Sequence, residues 1–394
     1  MAAPLLATKL SIPSTGKYLV ERPYLATKLD ECLHPGCRLV LISAPAGYGK
    51  TTLLTAWLAK LNSSEQRPAP LIAWVSLDDR DNEPVLFWSY IITAIQTQHE
   101  AVGKQSLNQL RGAIPPDLEG SLALLINELN EISNPFVLIV DDYHFIRNPA
   151  IHQSLAFLFE HLPGQFHVIL ASRTDPPLPL ALLRGRGQLL EIRQNDLRFS
   201  TKDAGSFLNS GMNLNLSSQA VEALNQKTEG WIAGLQMAAL SLREAATSGD
   251  YERIENFISA FSGSNRYILD YLIEEVLNQQ PEEIQNFLLK TSILDRFCNS
   301  LCEALLADME GDSSRDPQKV LEYLDSNNLF LIPLDKERYW YRYHRLFADL
   351  LRKSLAQRFD QAVVTRLHKS ASKWIAIAVK ANKGKTVRYI FHAK

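Results

Sequence analysis

Residues 39–54, LVLISAPAGYGKTTLL, constrain the fold more than any other stretch of the chain. The apolar run Leu39-Val40-Leu41-Ile42 reads as a buried strand. A loop of small residues follows, Ala44-Pro45-Ala46-Gly47-Tyr48-Gly49, and Lys50-Thr51-Thr52 then opens a helix carried by Leu53, Leu54, Trp57 and Leu58. Strand, glycine-bearing loop and helix in that order form the context of a phosphate-binding loop. Gly47 and Gly49 let the backbone turn its N–H groups onto an anion, and the helix N-terminus adds partial positive charge. Ala46 to Thr52 therefore form the candidate nucleotide cradle. Lys50 reaches the β- and γ-phosphates, and the Thr51 hydroxyl is placed for Mg²⁺. The usual pattern, G-x-x-x-x-G-K-[ST], has Ala44 in place of its first glycine. That position mainly needs a small side chain. The plainer alternative is a strand–turn–helix with a lysine in its first turn.

A second signal agrees in register. Phe136-Val137-Leu138-Ile139-Val140 reads as a strand buried on both faces, ending in Asp141-Asp142. The carboxyl ends of strands are where open α/β sheets bind ligands. Asp141 is the candidate Mg²⁺ partner beside Thr51, and Asp142 the candidate group for orienting or activating water. His167 to Ala171 reads as another strand, with Arg173 past its end in the position of a γ-phosphate sensor; a surface ion pair is the alternative. With strands at Leu71–Val75 and Leu189–Ile192, the count reaches five, which implies a parallel, doubly wound sheet. An α/β P-loop NTPase domain is thus expected over residues 1–195.

Beyond Asp196 strand runs give way to helical periodicity, and a helical domain is expected over 196–262. A hairpin of Leu329–Pro333 and Tyr339–Tyr343, flanked by helices, suggests a winged-helix domain over 263–355. Residues 356–394 start a further helical segment with a basic end at Lys380, Lys383, Lys385 and Arg388. Thr8 to Pro13 reads as an extended lead-in, and Pro23 as the first turn of a short helix with Leu25, Leu29 and Leu33 on one face. The chain of 394 residues has a formal net charge of −2, which gives no electrostatic footprint for nucleic acid or an anionic membrane. No apolar run reaches a membrane span, and no signal peptide is read. Cys32, Cys37, Cys298 and Cys302 make two close pairs, read as buried thiols in a reducing cytoplasm rather than metal ligands.

These residues together resemble the signal-transduction ATPases with numerous domains, in the maltose-regulon activator (MalT-like) branch of large LuxR-type transcriptional regulators. The resemblance rests on Thr8-Lys9-Leu10 with Pro13, Val20-Glu21-Arg22-Pro23, Ala44–Thr52, Trp74–Asp78 with Asp81-Asn82, and Val140-Asp141-Asp142-Tyr143-His144. It continues through Ser172–Pro177, Asp196–Phe199, Glu229-Gly230-Trp231, Ala233-Gly234-Leu235 and Tyr343–Leu351, to about residue 375. It implies ATP and ADP as ligands with Mg²⁺, a cytoplasmic location, and a regulatory switch that is closed with ADP and self-associates with ATP plus an inducer. Val20 and Arg22 would touch the base or ribose, and His344 would reach the β-phosphate in the closed form. Residues 356–394 would be the truncated start of the inducer-sensing helical repeats of such regulators, and the DNA-reading helices would lie outside these residues. Two other functions fit the loop: a P-loop kinase, or a nucleotide-binding module without turnover.

Overall fold

The computed structural model describes residues 5–14, 16, 18–63, 69–112, 117–248, 251–263, 265–307 and 316–380. The basic tail at Lys383, Lys385 and Arg388 lies outside them. Two compact units are present, Met1–Ala44 with Tyr48–Arg198, and Pro45–Gly47 with Phe199–Lys394.

The first unit is built on five strands: β1 (Leu39–Ser43), β2 (Leu71–Ser76), β3 (Phe136–Asp141), β4 (Phe166–Ser172) and β5 (Leu189–Arg193). They are all parallel, in the order β2-β3-β4-β1-β5. Every residue of β1, β3 and β4 is buried, which is why these strands read as unbroken apolar runs rather than alternating ones. Helices α1 (Pro23–Asp30), α2 (Lys50–Ser63), α3 (Pro84–Gln96), α4 (Lys104–Gly112), α5 (Leu118–Asn130), α6 (Pro149–His161), α7 (Leu180–Gly185) and α8 (Gln194–Leu197) complete the unit. Glu83 caps α3 by accepting from the Val85 and Leu86 N–H groups, and Pro84 takes the first turn, where no N–H is needed. Trp88 is buried in the core with Phe87, Ile91 and Leu155, and its indole N–H is satisfied by Ser154 Oγ at 2.9 Å. Because β1 lies between β4 and β5, and β3 beside β4, the carboxyl ends of β1, β3 and β4 converge. That convergence sets the phosphate loop next to Asp141 and Arg173.

The lead-in departs from expectation. Ala7–Leu10 is a 3-10 turn rather than extended chain. The turn carries Lys9 Nζ onto Asp81 Oδ2 at 2.6 Å and Asp78 Oδ2 at 2.9 Å, while the Leu6 N–H donates to Tyr90 Oη. Asp79–Asn82 is likewise a 3-10 turn, closed by reciprocal bonds between Asp78 and Asp81. Helices α6 and α7 are not among the sequence expectations.

The second unit contains α9 (Thr201–Gly205), α10 (Ser218–Thr228), α11 (Ile232–Ser248), α12 (Tyr251–Ala260), α13 (Arg266–Leu272), α14 (Glu282–Thr291), α15 (Asn299–Leu306) and α16 (Pro317–Ser326). A hairpin follows, β6 (Leu331–Pro333) and β7 (Tyr341–Tyr343), then α17 (Arg345–Arg358) and α18 (Gln361–Lys380). Ser200 caps α9 as its sequence suggests. Ser206–Gly211 and Ile273–Leu277 are π-helical continuations of α9 and α13, with the Asn278 N–H returning to Ile273 O at 2.9 Å. The hairpin strands are shorter than the apolar runs that announce them. Asn328 and Phe330 have positive φ and break the ladder on one side. On the other, both carboxylate oxygens of Asp335 accept from the Tyr339 and Trp340 N–H groups, holding those residues in the turn. Helices α15 and α16, which lead into the hairpin, are not among the sequence expectations, although each buries an apolar face, Leu301, Cys302 and Leu305 in one and Val320, Leu321 and Leu324 in the other.

Pro45–Gly47 belongs to this second unit because the backbone there is held by the start of α11. Trp231 Nε1 donates to Ala46 O at 3.0 Å, and the Ala233 N–H to Gly47 O at 3.1 Å.

Candidate functional site

The loop after β1 turns through two left-handed glycines, Gly47 at φ 74° and Gly49 at φ 77°. A side chain at either is strained by that conformation alone. At Gly47 space forbids it as well: a Cβ would lie 2.6 Å from Ala233 Cβ and 2.8 Å from Trp231 Nε1. Tyr48 is buried, its hydroxyl accepting from Gln194 Nε2 at 2.7 Å. Thr52 faces outward. Ala46 and Gly47 are held by Trp231 and Ala233, and Tyr48 by Gln194.

Lys50, the first residue of α2, is buried, and its Nζ donates to Ala44 O at 2.8 Å. Burial first, and the Arg173 cation second, pull its pKa down to about 8. The Asp142 and Asp141 carboxylates act on the lysine in the opposite sense. Thr51 Oγ1 donates to Asp141 Oδ2 at 2.7 Å, joining the hydroxyl at the start of α2 to the carboxylate at the end of β3. Asp141 is buried, its Oδ1 accepts from the Asp142 N–H at 3.0 Å, and burial together with the Asp142 charge raises its pKa to about 6. A hydroxyl and a carboxylate converging on one point are hard oxygen donors of the kind Mg²⁺ takes alongside phosphate oxygens. Thr51 and Asp141 thus fit a divalent cation; among the described residues no group of three or more His, Cys, Asp or Glu is assembled as a metal site.

Asp142 has a left-handed backbone, φ 58°, and a carboxylate that is 42% exposed. It opens the 3-10 turn Tyr143–Phe145. Asp142, Arg173, Lys50 and Asp141 are brought together, as the sequence places them. Sequence reasoning assigned no role to His144, which is also present: burial, then Arg173 and Lys50, lower its pKa to about 3. Its signal was adjacency, an imidazole two residues beyond Asp142.

Arg22 stands elsewhere in the first unit. Its guanidinium donates to Leu197 O at 2.7 Å, Asp196 O at 2.9 Å and Arg198 O at 2.7 Å. These bonds tie the segment before α1 to the end of α8, and Val20 is half-buried two residues earlier.

In the second unit His344 is fully buried at the start of α17, and its Nε2 meets Thr228 O at 3.0 Å. The ring lies 6.0 Å from that of Trp231. The next residue along, Glu229, has φ 51° and takes both Nη1 and Nη2 of Arg342, at 2.8 and 2.7 Å, together with the Arg345 N–H at 3.0 Å. Burial opposes ionisation of Glu229, but these partners and His344 outweigh it and hold the pKa at about 2. Replacing Glu229 with Gln is expected to cost roughly 1.5–3 kcal/mol at pH 7. A folded pKa below the ordinary 4.5 means the stabilisation is present above pH 4.5 and fades as pH falls toward 2. Denaturant melts of both proteins at pH 7 and pH 3 should show the gap narrowing in acid; an equal gap at both would remove the charge from the explanation.

The four cysteines are free thiols, with Cys32, Cys298 and Cys302 buried. No helix among the described residues is long and apolar enough to cross a membrane.

A profile of the MalT winged helix domain matches residues 273–363, which include the hairpin and α17. The HTH-type transcriptional regulator MalT of Klebsiella pneumoniae is 34% identical over 377 residues, 94% of this chain and 39% of that protein. MalT of Yersinia enterocolitica is 33% identical over 379 residues, 96% of this chain and 40% of that one. Among solved structures, the Walker-type ATPase paby2304 of Pyrococcus abyssi superposes with a TM-score of 0.56, at 16% identity, over 88% of this chain and all of that one. That likeness shows the fold, a P-loop ATPase sheet. The chain spans about two-fifths of the length of the curated relatives it matches. The chain is thus MalT-like in sequence over 94–96% of its length, with a winged helix matching the MalT domain at residues 273–363 and a P-loop fold before it.

Proposed function

We propose that the chain is the nucleotide-driven switch of a MalT-like transcriptional activator, binding ATP and ADP and hydrolysing ATP slowly. The observation that carries this is the bond between Thr51 and Asp141 beside the buried Lys50 ammonium. An isolated strand–turn–helix has no need of that arrangement, and a triphosphate does. Lys50 neutralises the β- and γ-phosphates, and Arg173 contacts the γ-phosphate. Asp142 orients the attacking water and takes up its proton. Thr51 and Asp141 would hold Mg²⁺, which supplies further charge neutralisation when bound.

Val20 and the backbone beside Arg22 line the base or ribose. The Arg22 guanidinium itself is occupied with three carbonyls, so its part in binding is to fix that segment. His344 answers to the β-phosphate and favours the ADP state. Trp231 offers a route within its own unit, since it touches both His344 and Ala46. In the intact regulator, ATP with an inducer releases self-association, and DNA is read by helices outside these residues. A kinase would need an acceptor pocket, and a module without turnover would not need Asp142.

The experiment is extraction of nucleotide from the purified chain, followed by phosphate release from ATP with and without sugar or nucleoside acceptors. Bound ADP, and slow release indifferent to acceptors, are expected. Acceptor-dependent loss of ATP without free phosphate would replace the switch by a kinase, and tight binding without release would leave only a binding module.

A further inference from the structure

His144 differs from the other buried histidines. His167 gives Nδ1 to Cys37 O at 2.6 Å, and His152 meets Tyr143 Oη at 2.7 Å. The His144 side chain is more open, at 11% exposed, but both its ring nitrogens are buried and neither has a hydrogen-bond partner. A buried polar ring in that condition costs stability unless something arrives to bond it.

The ring is also fixed in place. Tyr143, one residue before, is anchored in the core through His152, and Phe145, one residue after, lies against the imidazole with centroids 4.3 Å apart. Asn82 clamps the following turn, donating to Phe145 O at 2.8 Å and accepting from the Arg147 N–H at 2.6 Å. Asp81, beside it, is held in turn by Lys9. The ring is also near enough to Arg173 and Lys50 for both cations to act on it, and these are the groups read above as meeting a γ-phosphate.

Asp142 decides which nitrogen carries the proton. Its Oδ1 is 3.7 Å from Nδ1, and a negative charge on that side of the ring favours the proton on that nitrogen. Nε2 is then a lone-pair acceptor. A phosphate oxygen offers no hydrogen to an acceptor, whereas a water does.

We propose that His144, held in one tautomer by Asp142, is a catalytic residue whose Nε2 accepts a hydrogen bond from the water that attacks the γ-phosphate. This rests on the hydrolysis reading given above. The water oxygen bonds to the γ-phosphorus as the bond to the β–γ bridging oxygen breaks. ADP departs with that electron pair, and the water's proton leaves through Asp142 to solvent. The imidazole stays neutral throughout, because burial and two nearby cations disfavour its charged form. It aims the water rather than storing the proton.

The test is single-turnover phosphate release by the full chain and by His144→Ala, His144→Asn and His144→Gln, with affinities for ADP and for ADP–fluoroaluminate and a thermal melt for each. A Gln side-chain oxygen reaches about as far as Nε2; an Asn oxygen stops near Nδ1. Ala and Asn should each slow hydrolysis by about 10²-fold and weaken the fluoroaluminate complex by a similar factor, with ADP affinity and melting nearly unchanged. Gln should keep a larger share of the rate. A folded His144→Ala that hydrolyses like the parent overturns the proposal, as does equal loss of ADP affinity in all three. If Ala does not fold, Gln no better than Asn has the same meaning. If the parent chain itself releases no phosphate, the hydrolysis reading fails separately. The fluoroaluminate-to-ADP affinity ratio then decides alone: a drop in His144→Ala sustains the water site, and no drop removes it.

Discussion

Lys50→Ala is expected to weaken nucleotide binding by roughly 10²–10⁴-fold, from two charge-assisted hydrogen bonds worth about 1.5–3 kcal/mol each. The lysine is buried and already desolvated, and its Nζ is steered by Ala44 O, so little further cost attends its turn toward a phosphate. The same burial makes the free protein tolerant of the change. The variant sheds both the repulsion by Arg173 and the attraction of Asp141 and Asp142, so thermal melting without nucleotide should change little. A titration with fluorescent ADP, read beside that melt, separates lost affinity from lost fold. A folded variant that binds ADP as the parent does would dismiss the loop as the nucleotide site.

Asp142→Asn should leave ATP bound and slow its hydrolysis by about 10²–10⁴-fold. Asn is the replacement to make, because residue 142 has φ 58° and Asn accepts a left-handed backbone where Ala would add strain of its own. Asp141→Asn should act differently. It removes the charge facing Thr51, so the Mg²⁺ dependence of binding should fall rather than the rate alone. Measuring both variants by binding and by phosphate release assigns the two carboxylates. Normal turnover in Asp142→Asn would move the water-handling role away from this residue.

The strand, loop and helix around Lys50 were legible because each depends on local chemistry: apolar runs, glycines, and a lysine in register. Asp141-Asp142 could be read for the same reason, since an acidic pair ending an apolar strand is a local pattern. What escaped was set by partners far away in sequence. Lys9 looks like one more polar residue in a lead-in, and only the fold brings it to Asp78 and Asp81. Arg22 suggested a ligand contact, whereas its guanidinium meets the carbonyls of residues 196–198. His144 was in view as part of a motif, but an imidazole's meaning lies in whether its nitrogens are paired, which no spacing reveals. The hairpin runs were visible and their lengths were not, because Asp335 and the left-handed Asn328 and Phe330 end the ladder early.

The position of β1 between β4 and β5 also bears on how the protein comes into being. Strands β2, β3 and β4 are neighbours in both sequence and sheet, so they can assemble as the chain leaves the ribosome. β1, although made before them all, finds its two partners only when residues 166–193 have been synthesised. Pairings that distant slow folding, and the order of synthesis delays them further. The phosphate loop hangs from β1, so a nascent chain shorter than about residue 193 carries the binding motif without the site. A nucleotide could stabilise the newborn first unit only after its last strand is in place, which would make it a late ligand of folding rather than a nucleus for it.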